Sequence, residues 1–550
     1  MDQVPRCCPC ACIVRLKIRS GILASRFLHS TRCEPLQNHR LRFDFVRRGI
    51  GDAWGRHTQL VIMMKPKPPP QVAPHDPNSA EQPAFPMHVL KVSDAIEVLR
   101  RGGSLPCFED LKMEGTLRVL PLSDTRKVLF LSHTWLGFKH PDPRGVKMEL
   151  LRSLLSKLWV GDLKVKGYCF TEMWQKGLTI SPAKLQQDFV DGYVWLDFWC
   201  IPQRDPTTQI KAIGSIVDYV ARSDLFVVLA GPWTHEDGST RDERSWFGRG
   251  WCRMEQLANA LSPHVKGLII ASSVSCVINY GPSGHQGHGG WAVNPVGRGK
   301  FTVDSDKAEL GPVIAKLIAK RKAQALREGD MLWFRHLHCL KSALLAGTGY
   351  EPDPQESVAE WMAAMQFNSV EDGKKFGLTP LRYAVIAGRA DLTAALLDMG
   401  ADIDGGKVRR ATPEMQNMWF LMPGASVLIS AACFSPAHSH ADCVRLLIQR
   451  GANVKATCMP PFNINLLFFA TGVEVGEDGC DMMRIAQEHC GDQLGTLMML
   501  DNFALEMGVL CGKTRVLKYQ LEQPTIRTHL LADRPGPHYG GKQRLAKICM

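Results

Sequence analysis

Asp197 interrupts an otherwise apolar and aromatic run, Tyr193 to Gln203 (YVWLDFWCIPQ). A lone carboxylate in such a run is costly to bury unless it finds partners or lies at the edge of a sheet, facing a cleft. Pro202 cannot donate a ladder hydrogen bond, so the strand is expected to end by Ile201. An acid, a thiol and a Pro turn then mark a site at its carboxyl end; the plainer alternative is a core strand capped by Asp197. Cys200 and Cys252, with His133 as base, would make a thiol hydrolase. Nothing in the sequence places a His beside either thiol, and buried Cys is usually inert. His285 and His288 lie in the Gly-rich stretch 281–299, where a loop is expected in place of a metal site. Cys7, Cys8, Cys10 and Cys12 are read as an incidental leader, the alternatives being a metal site or acylation. No P-loop, kinase signature or G-x-S-x-G elbow is present.

The elements around the Asp197 stretch alternate. Lys127 to Ser132 (KVLFLS) predicts a buried strand, and Val146 to Trp159 an apolar-periodic helix. Residues 160–190 fit no period and read as an insertion. Thr207 to Arg222 predicts one helix with Ile210, Ile213, Ile216, Val217 and Val220 on its apolar face. Asp224 to Ala230 is a third strand, Gly250 to Ala260 a helix, and Val265 to Ala271 a fourth strand. This alternation predicts a parallel sheet with helices on both faces. Val92 to Arg101 is a short helix, and Lys307 to Leu345 is helical with a break near Gly329.

A chain of 550 residues predicts two to four domains. Residues 1–60 carry 11 Lys and Arg against 4 Asp and Glu, over half of the net charge of +12. The remainder is too balanced for a nucleic-acid footprint. No apolar run reaches the roughly 18 residues of a membrane helix. Scattered thiols without paired spacing imply a reduced, cytoplasmic setting. The Arg-rich segment 1–62 is compatible with an organelle-targeting leader, with a disordered extension, or with a start at Met63 or Met64. Pro residues from Pro66 to Pro86 make a linker.

The last third repeats itself. Leu378 to Asp404 carries TPLxxA, a turn at Gly388 and a terminal GAD, the pattern of an ankyrin repeat, with Arg382 where His is usual. A second copy spans Ser426 to Lys455. Asp481 to Asp492 stands in for the second helix of a degenerate third unit, and Ala504 to Gln523 for a degenerate fourth. The expected division is leader and linker over 1–90, an α/β domain over 91–330, a helical connector over 331–372, ankyrin repeats over 373–525 and a tail over 526–550.

FLSHTW (Phe130 to Trp135), WLDFWCIPQ (Trp195 to Gln203) and RGWCRMEQL (Arg249 to Leu257) together resemble the Toll/interleukin-1 receptor (TIR) superfamily, in its fungal heterokaryon-incompatibility (HET) flavour. The resemblance covers roughly 120–275. It implies a flavodoxin-like, TIR-type sheet, followed here by an all-α ankyrin array. By its motif, Glu255 would take the catalytic role in cleaving the nicotinamide–ribose bond of NAD, as substrate and not cofactor. A carboxylate one turn into its helix can hold ribose hydroxyls and stabilise an oxocarbenium-like transition state. Ligands of such sheets bind beyond the carboxyl ends of the strands. Ser132, His133, Trp135, Asp197, Trp199 and Trp251 would then line the site, with no metal. The structural alternatives are an ion pair from Glu255 to Arg249 or Arg253, a strand-end cap at Asp197, and core packing for the three Trp. His133-Thr134-Trp135 departs from the plant family's Phe-Arg-Gly. The repeats imply a protein partner, and the α/β domain implies self-association, either completing an NAD-hydrolase site or serving as a non-enzymatic scaffold.

Overall fold

Every residue of the strand Val128–His133 is buried, and the rest of the α/β part is laid around it. The structure, a computed structural model, describes residues 83–172, 177–282, 290–350, 356–409, 421–433, 438–458, 464–471, 479–490 and 514–522, all within the unit Gln82–Met550. The leader, the linker up to residue 82, His285, His288 and the tail lie outside the described residues. The strands are β1 (His88–Lys91), β2 (Arg118–Val119), β3 (Val128–His133), β4 (Lys166–Gly167), β5 (Tyr193–Leu196), β6 (Leu225–Leu229), β7 (Trp233–Thr234), β8 (Thr240–Arg241), β9 (Leu268–Ser273) and β10 (Cys276–Asn279). The principal helices of this part are α1 (Val92–Arg100), α2 (Val146–Trp159), α3 (Ile216–Arg222), α4 (Glu243–Gly248), α5 (Gly250–Leu261), α6 (Asp306–Glu328) and α7 (Met331–Leu345).

Eight strands form one sheet in the order β2-β1-β5-β3-β6-β9-β10-β4, and β7 and β8 form a separate ribbon. The central strands β5, β3, β6 and β9 run parallel. The expected wholly parallel sheet is corrected at its flanks, where β1 runs antiparallel to β5 and β10 antiparallel to β9. The few residues between Ser273 and Cys276 allow only a hairpin return, because a parallel neighbour needs a long crossover.

Side chains alternate across this sheet. On one face Phe130 stacks between Trp195 and Phe226 at centroid distances of 4.3 and 5.3 Å. Tyr219 of α3 and Trp246 of α4 close over that aromatic row. On the other face Leu129 and Leu131 meet Leu151, Leu155 and Leu158 of α2 around an apolar void of about 30 Å³. Helices thus cover both faces.

Three sequence expectations need correction. The strand expected over Tyr193–Ile201 stops at Leu196, and Asp197–Cys200 forms a helical turn instead. Turning there brings the Phe198 N–H within 2.6 Å of Asp197 Oδ1, a donor that the ladder would have used. The helix expected over Thr207–Arg222 is two helices, Pro206–Gly214 and α3. Ser215 marks the break: its hydroxyl donates to Lys211 O (2.9 Å) and accepts the Phe85 N–H (3.2 Å). Ile210, assigned to the buried stripe, is 66% exposed. The unplaced span 160–190 contains β4 and the short helices Cys169–Glu172 and Pro182–Phe189.

From Pro295 to Asp306 the chain forms a strap that is clipped to α5. Gly250 N donates to Lys300 O (2.9 Å), Arg253 Nη1 to Pro295 O (2.9 Å) and Trp251 Nε1 to Asp306 Oδ2 (2.9 Å). The same strap touches Gly347, just beyond α7, so closely that a Cβ on Gly297 would lie 2.3 Å from the Gly347 carbonyl carbon. Gly329, in the left-handed region at φ 70°, ends α6 where the break was expected.

Helices α8 (Pro380–Ile386) and α9 (Ala390–Asp398), α10 (Val427–Cys433) and α11 (His438–Gln449), and α12 (Leu466–Thr471) and α13 (Asp481–Cys490) form three stacked pairs. α12 supplies a first helix for the third unit, which had been assigned only its second. Of the fourth unit, α14 (Thr514–Glu522) is described and 504–513 lie outside the described residues. α7 docks on the first pair through His336, edge-on to Tyr383 at 5.1 Å, while its Arg335 lies 3.8 Å from the ring centroid of Phe367, in the segment preceding that pair. Arg382 is fully buried between the first two pairs. Its guanidinium donates to Ser426 O (3.0 Å), Gly406 O (2.9 Å) and Ala425 O (2.9 Å), and to Gly377 O and Ser430 Oγ. Arg382→Ala strands these buried acceptors and is expected to cost about 3 kcal/mol or more, read as a lowered urea midpoint of the full chain. An unchanged midpoint would show that water replaces the guanidinium without loss.

Candidate functional site

The carboxyl ends of β3 and β5 carry the polar residues of the rim. Ser132 and His133 are consecutive on β3, so they face opposite sides of the sheet and enter two different clusters.

On the α5 side, Ser132 is 1% exposed. Trp246 Nε1 donates to its Oγ at 2.7 Å, and its hydroxyl donates to Glu255 Oε2. Trp246 is set by the start of α4, where the Asp242 carboxylate accepts the Ser245 N–H (2.9 Å) and Ser245 Oγ accepts the Asp242 N–H (2.7 Å). Glu255 is half-buried as a residue. Burial, with the Asp197 charge added, pushes its pKa up to about 8 against the opposing Ser132 hydrogen bond. Neither arginine weighed as its ion-pair partner reaches it. Arg249 Nη2 donates to Thr302 Oγ1 (2.7 Å), and Arg253 Nε to Phe247 O (2.7 Å).

On the α2 side, His133 Nε2 lies 2.8 Å from Asp197 Oδ1, and Trp135 Nε1 donates to Asp197 Oδ2 at 2.8 Å. Lys147, fully buried, places Nζ 2.8 Å from His133 Nδ1, 2.5 Å from Thr134 O and 2.9 Å from Pro141 O. The start of α2 is held by Asp142, whose Oδ2 accepts the N–H groups of Lys147 (2.7 Å) and Met148 (2.8 Å). Burial pulls the Lys147 pKa down to about 7, with Asp142, Asp197 and Cys252 opposing. Burial and the Lys147 charge push His133 down as well. For Asp197 burial acts upward, but His133, Trp135 and the Phe198 N–H outweigh it and hold the carboxyl below its usual range.

The remaining aromatic residues do not meet at one opening. Trp199 is wholly buried and its Nε1 has no hydrogen-bond partner among the described residues. Trp251 is tied to Asp306. Burial pushes the thiols of Cys200 and Cys252 up, so neither supplies a thiolate, and Cys252 Sγ lies 3.9 Å from the His133 carbonyl oxygen. Among the described residues no group of three or more His, Cys, Asp or Glu is placed to hold a metal, and no helix is long and apolar enough to cross a membrane. Sequence reasoning missed Trp246 and Lys147. Lys147 does share the stripe of Leu151, Leu154 and Leu158 at helical spacing, which was the available signal.

The family model of the ankyrin repeat matches residues 424–458, which span α10 and α11. A repeat of this kind suggests protein–protein interaction. No curated protein matches the chain.

The raised pKa of Glu255 has a sign. A proton bound more tightly in the fold than in the unfolded chain stabilises fully below about 4.5, and that stabilisation is lost as pH rises through about 8. Glu255→Gln, which carries no charge at any pH, is therefore expected to gain melting temperature relative to the unmodified protein between pH 6 and 9. Parallel melting curves across that range would contradict the buried acid.

Proposed function

We propose that the chain is a partner-recruiting signalling protein whose TIR/HET-like segment, 120–275, hydrolyses the nicotinamide–ribose bond of NAD at the carboxyl rim of its sheet. The observation that carries this reading is the split between two carboxyls held at one rim. Asp197 is kept ionised, while Glu255 is pushed up to about 8. Neighbouring acids driven apart in this way take different roles in glycoside chemistry. The order of the parallel strands supports it. Numbered along the chain β3, β5, β6 and β9, they lie 2-1-3-4, as in a flavodoxin-like sheet, whose ligands bind where the order reverses. In that order the reversal falls at β3, the strand of Ser132 and His133.

Nicotinamide leaves with the C–N electron pair as a neutral molecule, so its departure needs no acid. It needs negative charge beside the ribose, which Asp197 supplies, and a base for the attacking water, which the ionised fraction of Glu255 supplies. Water adds to the ribose carbon and its proton passes to Glu255. The ankyrin array, on this reading, brings the domain to a protein partner, and self-association of the domain gathers copies there.

A scaffold without catalysis is the second reading. It is favoured by the inward hydrogen bonds already made by both acids and by the complete burial of Trp199. Nicotinamide release by the full chain separates the two. Release that rises with pH toward about 8 and disappears in Glu255→Gln is expected. Equal background release from both proteins leaves the scaffold.

A further inference from the structure

Lys147 is a charged side chain without any surface, and the proposed reaction makes no use of it. An ammonium has three N–H donors and no acceptor. Three acceptors surround this one, the His133 Nδ1 and the carbonyl oxygens of Thr134 and Pro141, at 2.8, 2.5 and 2.9 Å. Donors and acceptors therefore match one to one, and His133 Nδ1 must accept. A neutral imidazole that accepts at Nδ1 carries its proton at Nε2, the nitrogen 2.8 Å from Asp197 Oδ1. The opposite tautomer would set an N–H against the ammonium and a lone pair against the carboxylate, unfavourable at both contacts. A doubly protonated ring fails at the first of them.

We propose that Lys147 is a positioning residue, which fixes His133 as the Nε2–H tautomer and so holds the Asp197 carboxylate in place at the rim. The role given to Asp197 in NAD cleavage rests on the reading above; the tautomer does not.

Asp197 then receives three donors, from His133, from the Trp135 indole and from the Phe198 backbone. A carboxylate so held is fixed in orientation and charge. Other charged or titratable groups face Lys147 from each element packed on it: Asp142 from the loop before α2, Asp197 from the turn after β5, and Cys252 from α5. Burial, opposed by the charges of Asp142, Asp197 and Cys252, brings the amine's pKa down to about 7, so the arrangement holds on the acid side of that value and loosens above it.

The alternative arrangement has the same total charge. If the ammonium gives a proton to Nδ1 while Nε2–H gives its own to Asp197, the chain ends as neutral amine, Nδ1–H imidazole and carboxylic acid. Two protons have moved by one place each and none is lost. The two states are told apart at the ring nitrogens.

The experiment is nitrogen NMR of the full chain labelled with ¹⁵N-histidine at pH 6.5, the His133 signals being those lost in His133→Gln. The expected spectrum shows a protonated Nε2 and an unprotonated Nδ1. In Lys147→Met, of similar length but without donors, the two signals are expected to move toward each other as the tautomers mix. Their change on raising the pH through about 7, present in the unmodified protein, is expected to be lost. A protonated Nδ1 in the unmodified protein overturns the proposal even if Lys147→Met does not fold. A folded Lys147→Met with unchanged ring signals overturns it too. If the ring signals behave as expected while no protein releases nicotinamide, the NAD reading fails and the positioning role stands.

Discussion

Adjacent residues of a strand cannot face the same side, and the α/β part of this chain is arranged around that constraint. β3 is buried along its whole length, yet ends in a Ser and a His. Buried polar groups need partners, and each face has to supply its own. The α5 side answers Ser132 with an acid and an indole, while the α2 side answers His133 with an amine and a second acid. The two sides are in electrical contact at the edge of the sheet, since the Asp197 charge is felt by Glu255.

The hydrophobic scaffold of this arrangement was readable in advance. The apolar runs of β3 and β6, the Leu stripe of α2 and the Gly329 break follow from period, length and cap residues, which act over a few neighbours. What escaped reading depends on partners remote in the chain. The turn at Asp197 is favoured by a donor that appears only once the ladder stops. The flanking β1, β4 and β10 have four residues or fewer, too few to show a period. Lys147 sat on the apolar stripe of α2 in plain view. A Lys there reads as a flaw until His133, fourteen positions earlier, is known to face it.

The repeats show the same division between local and distant signals. Their turns and helix pairs follow from a short pattern. The substitution of Arg for His at position 382 was visible, but its reason was not. The guanidinium reaches 44 and 48 residues ahead, to Ser426 and Ser430, and joins one helix pair to the next. Its acceptors are carbonyl and hydroxyl oxygens, so the array is stitched by a cation without an acid among these contacts. Such a stitch satisfies backbone groups that inter-repeat loops would otherwise leave bare.

The strap from Pro295 to Asp306 grips the amino end of α5 on one side and rests on Gly347 on the other. Beyond Gly347, the preceding helix α7 leans on the first helix pair through Tyr383. Direct contacts therefore run from the first helix pair through α7 and the strap to the first turn of the helix that bears Glu255, four positions after Trp251.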